Sequence, residues 1–161
     1  MTGSRRIAFW LVVAVQALAV VALIGLNERA LATGDEVTLR TVPVDPVDLF
    51  RGNYVSLRYD ISRVQVTRGV QPGDAVYVPL HESGHAWTGS VGFPSQPSGG
   101  TFIRGTVQRV AAGRAEIAYG IETYYADADE AQRLQGAGPL LVTVAVGGDG
   151  HARIARVEPV R

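Results

Sequence analysis

His81-Glu82-Ser83-Gly84-His85 spells His-Glu-x-x-His, the pattern that in zinc peptidases puts two imidazoles on one metal and a carboxylate beside the metal-bound water. That chemistry needs a helix, because only a helical turn brings residues four apart onto one face. The flanking sequence opposes one. Pro79 removes a backbone donor just before the motif, and Gly84 disfavours a helix by about 1 kcal/mol relative to Ala. The extended zinc-peptidase pattern also places Gly three residues after the second His, where this chain has Thr88. The segment is expected to be a hairpin turn with no metal, and His151 is too isolated in sequence to act as a third ligand. A Ser83–His85 pair is formally open to nucleophilic chemistry, but nothing nearby in the sequence orients it. The Ser-Lys dyad of signal peptidases is excluded, because all 15 basic residues are Arg.

The elements that must carry these residues begin with an apolar run. From Ile7 to Leu26 the only clearly polar side chain is Gln16, and about 20 such residues cross a hydrocarbon core of about 30 Å. Arg5 and Arg6 precede the run and no basic cluster follows it, so the positive-inside rule predicts a cytoplasmic N-terminus. The organisation expected is a cytoplasmic stretch 1–6, a transmembrane anchor 7–26, a linker 27–35 and an extracytoplasmic domain 36–161. A cleaved signal ending at Ala30-Leu31-Ala32 is the rival, but its apolar region would be unusually long. With no Cys, the outer domain has no disulfide and no thiol chemistry. Net charge is zero and the Arg residues are dispersed, which argues against nucleic acid as a partner.

Beyond the anchor the pattern has period two with turn punctuation. Strands are expected at 36–42, 54–61, 75–80 and 86–93. In the second of these, Val55, Leu57, Tyr59 and Ile61 share one face. Two hairpins are expected, 101–110 with 114–122 and 140–146 with 152–157, and one short helix at 126–134. Short strands at this spacing predict a mainly β domain, a single β-sandwich or partly closed β-barrel.

One long stretch is more specific than the pattern around it. Thr41-Val42-Pro43-Val44-Asp45-Pro46-Val47-Asp48-Leu49-Phe50-Arg51-Gly52-Asn53-Tyr54-Val55-Ser56-Leu57-Arg58-Tyr59 closely resembles the signature of the membrane-anchored bacterial GDYXXLXY family. The likeness extends through Leu31-Ala32-Thr33-Gly34, Gly73-Asp74-Ala75-Val76-Tyr77-Val78 and Tyr119-Gly120-Ile121-Glu122-Thr123-Tyr124-Tyr125, and so covers nearly the whole chain, the anchor included. It implies one-span proteins that often accompany multi-pass membrane proteins, and it supplies no reaction and no cofactor. Asn53 stands where the family usually has Asp. An amide fits a turn as Asp does but cannot act as a carboxylate base.

Within this stretch Leu57 and Tyr59 read first as core residues and Gly52 as a turn residue. Asp45, Asp48, Arg51 and Glu122 form a possible polar cluster, with Arg51 suited to hold Glu122 or Asp48 in two-point contact. Tyr54, Tyr124 and Tyr125, with Trp87, are the side chains that would make an aromatic platform. The function expected is a membrane-anchored extracytoplasmic accessory or binding domain acting with an integral membrane partner, with no catalysis assigned. The alternatives are a carbohydrate- or peptide-binding module, or a membrane-associated hydrolase.

Overall fold

A computed structural model describes residues 9–22, 34–42 and 54–160. Residues 9–22 are α-helical (α1), and Phe9, Trp10, Leu11 and Val12 are all exposed. At 100° per residue these four neighbours encircle the helix, so no face of it is buried there. Among the described residues no helix is long and apolar enough to cross a membrane. The ends of the 7–26 run, and the linker up to residue 33, lie outside the described residues.

The rest is mainly β. One five-stranded sheet runs in the order β12 (Ala152–Pro159), β11 (Leu140–Val146), β1 (Asp35–Arg40), β6 (Ala86–Thr88), β5 (His81–Ser83). A second has the order β4 (Ala75–Pro79), β8 (Phe102–Ala111), β9 (Arg114–Ala118), β3 (Arg63–Val66), β7 (Val91–Gly92). The last strand of this second sheet meets the first. Just beyond β7, Phe93 and Tyr77 of β4 exchange two backbone hydrogen bonds of 2.8 and 2.9 Å. The sheet is thereby nearly closed into a small barrel-like form. A two-stranded ribbon of β2 (Tyr54–Ser56) and β10 (Thr123–Tyr125) completes the β structure.

Side-chain alternation decides what fills the middle. Val64, Val76, Val78, Ile103, Val107, Ala115 and Ile117 point inward from the barrel strands and are fully or nearly fully buried. They form one contiguous core with Val37 and Leu39 of β1, Val142 and Val144 of β11, and Leu134 of the helix α2 (Ala128–Gly136). Gly105 points into the same space. A Cβ there would collide with Ile117 Cγ2 and come within 2.8 Å of Tyr119 Cδ1, so only glycine lets those side chains fill the barrel.

Local chemistry explains the turns. Ala112 (φ 50°) and Gly113 (φ 75°) join β8 to β9 with two left-handed residues, the geometry that matches strand twist in a two-residue hairpin. The Asp127 carboxylate accepts a 2.8 Å hydrogen bond from the Glu130 backbone N–H and caps α2.

Several sequence expectations differ in detail. The expected strand 54–61 stops at Ser56 and ends in a 3-10 turn, Asp60–Ser62, although Val55, Leu57, Tyr59 and Ile61 are all buried as their alternation predicts. The turn forms because Ser62 Oγ accepts from the Tyr59 N–H at 3.1 Å, while the Ser62 N–H donates to the Tyr59 carbonyl at 2.9 Å. β3 was not anticipated by the pattern reading. The expected strand 86–93 is broken at Gly89, where the chain passes so close to β4 that a Cβ would lie 2.6 Å from Val78 Cγ1 and 2.7 Å from the Pro79 carbonyl oxygen. The expected strand 114–122 ends at Ala118, and the helix runs 128–136 rather than 126–134.

Candidate functional site

The two specific stretches of the sequence meet in space. β2 and β10 pair antiparallel, with Tyr54 opposite Tyr125, Val55 opposite Tyr124 and Ser56 opposite Thr123. The pairing is continued by the Leu57 N–H donating to the Glu122 carbonyl at 2.8 Å. Beyond the ribbon, two buried tyrosines cross-tie the same segments. The Tyr59 hydroxyl donates to the Ile121 carbonyl at 2.6 Å, and the Tyr119 hydroxyl donates to the Ile61 carbonyl at 2.6 Å. Both phenols are pushed well above the usual tyrosine range, chiefly by burial and further by the Glu122 carboxylate nearby. They therefore stay protonated and remain donors at any physiological pH.

Glu122 closes the turn between these ties. One carboxylate oxygen accepts from the Tyr119 N–H at 2.6 Å and the other from the Gly120 N–H at 2.9 Å. Gly120 has φ 81°, which a side chain would strain. The carboxylate is thus committed to the backbone of its own turn. Arg51, its expected partner, and Asp45 and Asp48 of the same expected cluster, with Gly52 and Asn53, lie outside the described residues. Leu57 and Tyr59 are buried core residues.

The aromatic residues do not form one platform. Tyr54 and Tyr125 pair on the ribbon with ring centroids 6.3 Å apart and planes tilted by 58°, and Tyr125 is exposed. Tyr124 is half-buried and its hydroxyl makes a long 3.5 Å contact with Glu130. Trp87 is on β6, opposite Leu39 of β1 and Glu82 of β5, and belongs to a different surface.

That surface contains the His-Glu-x-x-His stretch, and it is a hairpin. His81 pairs with Thr88, Glu82 with Trp87 and Ser83 with Ala86, around a turn at Gly84 with φ 66°. His81 and His85 therefore do not share a helix face. Among the described residues no group of three or more potential ligands could hold a metal ion. Beside the hairpin lies an open groove of about 520 Å³ lined by Arg40, Asp60, Ser83, His85, Trp87 and Leu141, with Ala86, Thr88 and Val160. Arg40 and Leu141 are cross-strand partners on β1 and β11. Ser83, His85 and Asp60 face this one space, but no hydrogen bond links them and no proton relay is assembled. Sequence reasoning picked out Trp87, Ser83 and His85 but not Arg40 or Asp60. Both are charged residues at the ends of extended segments, where a charge is ordinarily read as a solvated face.

A model of the protein family described as "GDYXXLXY protein" matches residues 16–157. No curated protein and no solved structure matches this chain.

Proposed function

The chain belongs to the GDYXXLXY family, and from that premise we propose that it is a membrane-anchored extracytoplasmic accessory or binding domain that acts with an integral membrane partner. The observation that carries this reading is α1. Its apolar side chains are exposed around the full circumference, and they form part of an apolar sequence run from Ile7 to Leu26. A helix that is hydrophobic on every face needs an apolar surrounding, and a bilayer supplies one. Arg5 and Arg6 before the run favour an N-terminus on the cytoplasmic side, with the β domain outside.

The β domain supports a binding role over a catalytic one. The residues that define its signature, Leu57 and Tyr59, are occupied in packing and in holding the 119–122 turn. The groove beside the hairpin gathers polar groups but no linked nucleophile and base. Two measurements test the reading. In wall-stripped intact cells, added protease should remove a tag fused after Arg161 while leaving one fused before Met1. Purification of the full chain in mild detergent should bring down a multi-pass membrane protein. A protected C-terminal tag would refute the topology, and a clean preparation without a companion would refute the accessory role.

A further inference from the structure

The groove beside the β5–β6 hairpin offers two opposite formal charges that do not neutralise each other. Arg40 and Asp60 both line it, and among the described residues neither forms an ion pair; the ion pair present joins Arg109 to Glu116. Trp87, Leu141, Ala86 and Val160 give the groove its apolar lining. Ser83 supplies a hydroxyl that both donates and accepts. A volume of about 520 Å³ suits a small ligand or a chain terminus and not a folded partner.

We propose that this groove binds the C-terminal end of a short peptide, with the free carboxylate on Arg40, the apolar last side chain against Trp87 and Leu141, and backbone N–H groups donating to Asp60. The guanidinium fork matches a carboxylate in two-point contact, which a neutral ligand does not use. A sugar would stack on the indole but leave Arg40 without its matching charge. A phosphate dianion would suit Arg40, but it carries more negative charge than a carboxylate and no N–H donor, so it would leave Asp60 both unmatched and more strongly repelled. A peptide terminus places an anion, an apolar group and amide donors in sequence, and so uses all three features. The proposal deepens the binding-domain reading by naming the ligand class, but it does not depend on the membrane partner: peptide binding without a companion refutes only the accessory role, and a companion without peptide binding refutes only this site.

The test uses the full chain in detergent carrying Trp10→Phe, so that Trp87 is its single tryptophan. Its emission is titrated with acetyl-Ala-Leu as the free acid and as the C-terminal amide. The acid is expected to produce a saturable change at concentrations at least about ten-fold below those the amide requires, the scale of one charged two-point contact. Arg40→Gln should abolish that preference, Arg40→Lys should retain part of it, and Asp60→Asn should weaken both peptides. The urea midpoint of each variant establishes that it is folded. Equal affinity for acid and amide, no saturable response, or a folded Arg40→Gln variant that still prefers the acid would each overturn the proposal.

Discussion

Replacing Tyr59 by Phe removes one oxygen from a side chain that is 1 % exposed and leaves its ring in place. The Ile121 carbonyl then loses the donor that approached at 2.6 Å. An acceptor left unpaired in the interior costs about 1–3 kcal/mol. Tyr119→Phe should cost the same through the Ile61 carbonyl. With a urea slope of about 2 kcal/mol per M, a loss of about 2 kcal/mol moves the midpoint by about 1 M. A second signature separates the hydroxyl's role from simple packing. Burial and the Glu122 carboxylate raise both phenols above their ordinary value of 10.0. Below pH 10 each phenol is neutral in the folded and the unfolded chain, so the contribution to stability is fully present. Above pH 10 the unfolded chain releases these protons and the folded chain does not. Stability then falls by about 1.4 kcal/mol per pH unit for each tyrosine. Each Phe substitution should remove one such increment from the alkaline slope. The assay is urea denaturation of the full chain in detergent at pH 7 and at several pH values from 9 to about 11.5, read by tryptophan fluorescence. Single variants within about 0.5 kcal/mol of the parent at pH 7, with an unchanged alkaline slope, would refute the cross-tie as a determinant of the fold.

Three further outcomes are expected from the same measurement. Gly105→Ala should destabilise by about 1–3 kcal/mol, because its Cβ overpacks the barrel against Ile117 and Tyr119; an unshifted midpoint would mean the barrel interior gives way. Asp127→Ala should cost about 1 kcal/mol through loss of the α2 cap, and Asp127→Asn should recover most of it. Glu122→Gln should cost about 1.5–3 kcal/mol, since the amide keeps one good acceptor where the carboxylate offered two to the Tyr119 and Gly120 N–H groups. Near-native stability of Glu122→Gln would show that the turn holds without the charge.

How much of this was legible in the sequence depended on whether the controlling contact was local. The buried face of Val55, Leu57, Tyr59 and Ile61 followed from alternation, even though the strand itself stops at Ser56. The hairpin at His81 to Thr88 followed from Pro79 and Gly84, both local breakers. β3 was missed because four residues, Arg63–Val66, give too short an alternation to stand out beside the neighbouring turns. The break at Gly89 and the end of β9 at Ala118 had only a glycine as a local signal, Gly89 itself and Gly120. What fixes each is a contact that alternation does not show: Val78 and Pro79 crowd Gly89, and Glu122 captures the amides after Ala118. Barrel closure through Phe93 and Tyr77 was illegible for the same reason. At the candidate sites, the sequence pointed to Tyr54, Tyr124 and Tyr125 beside Glu122, and β2–β10 pairing brings these segments together. Arg40 and Asp60 became visible only once β1 and the 3-10 turn stood beside the hairpin.

The signature and the groove therefore have different physical duties. Leu57-x-Tyr59 works through its spacing of two, which puts both side chains on the buried face, and through a hydroxyl that reaches the turn 62 residues later. Tyr119 returns the contact, and Glu122 fixes the turn that makes both hydrogen bonds possible. Every one of these interactions is satisfied within the chain, so none of them requires a ligand. Groove residues are in the opposite condition: Arg40 and Asp60 carry charges that no described residue pairs with, and Trp87 is only half-buried. The side chains of Arg40, Asp60 and Trp87 make no hydrogen bond to Tyr59, Tyr119 or Glu122, so the cross-tie and the groove share no polar contact. The signature thus ties the chain's own segments together, and under the proposal above the choice of ligand would rest with the groove.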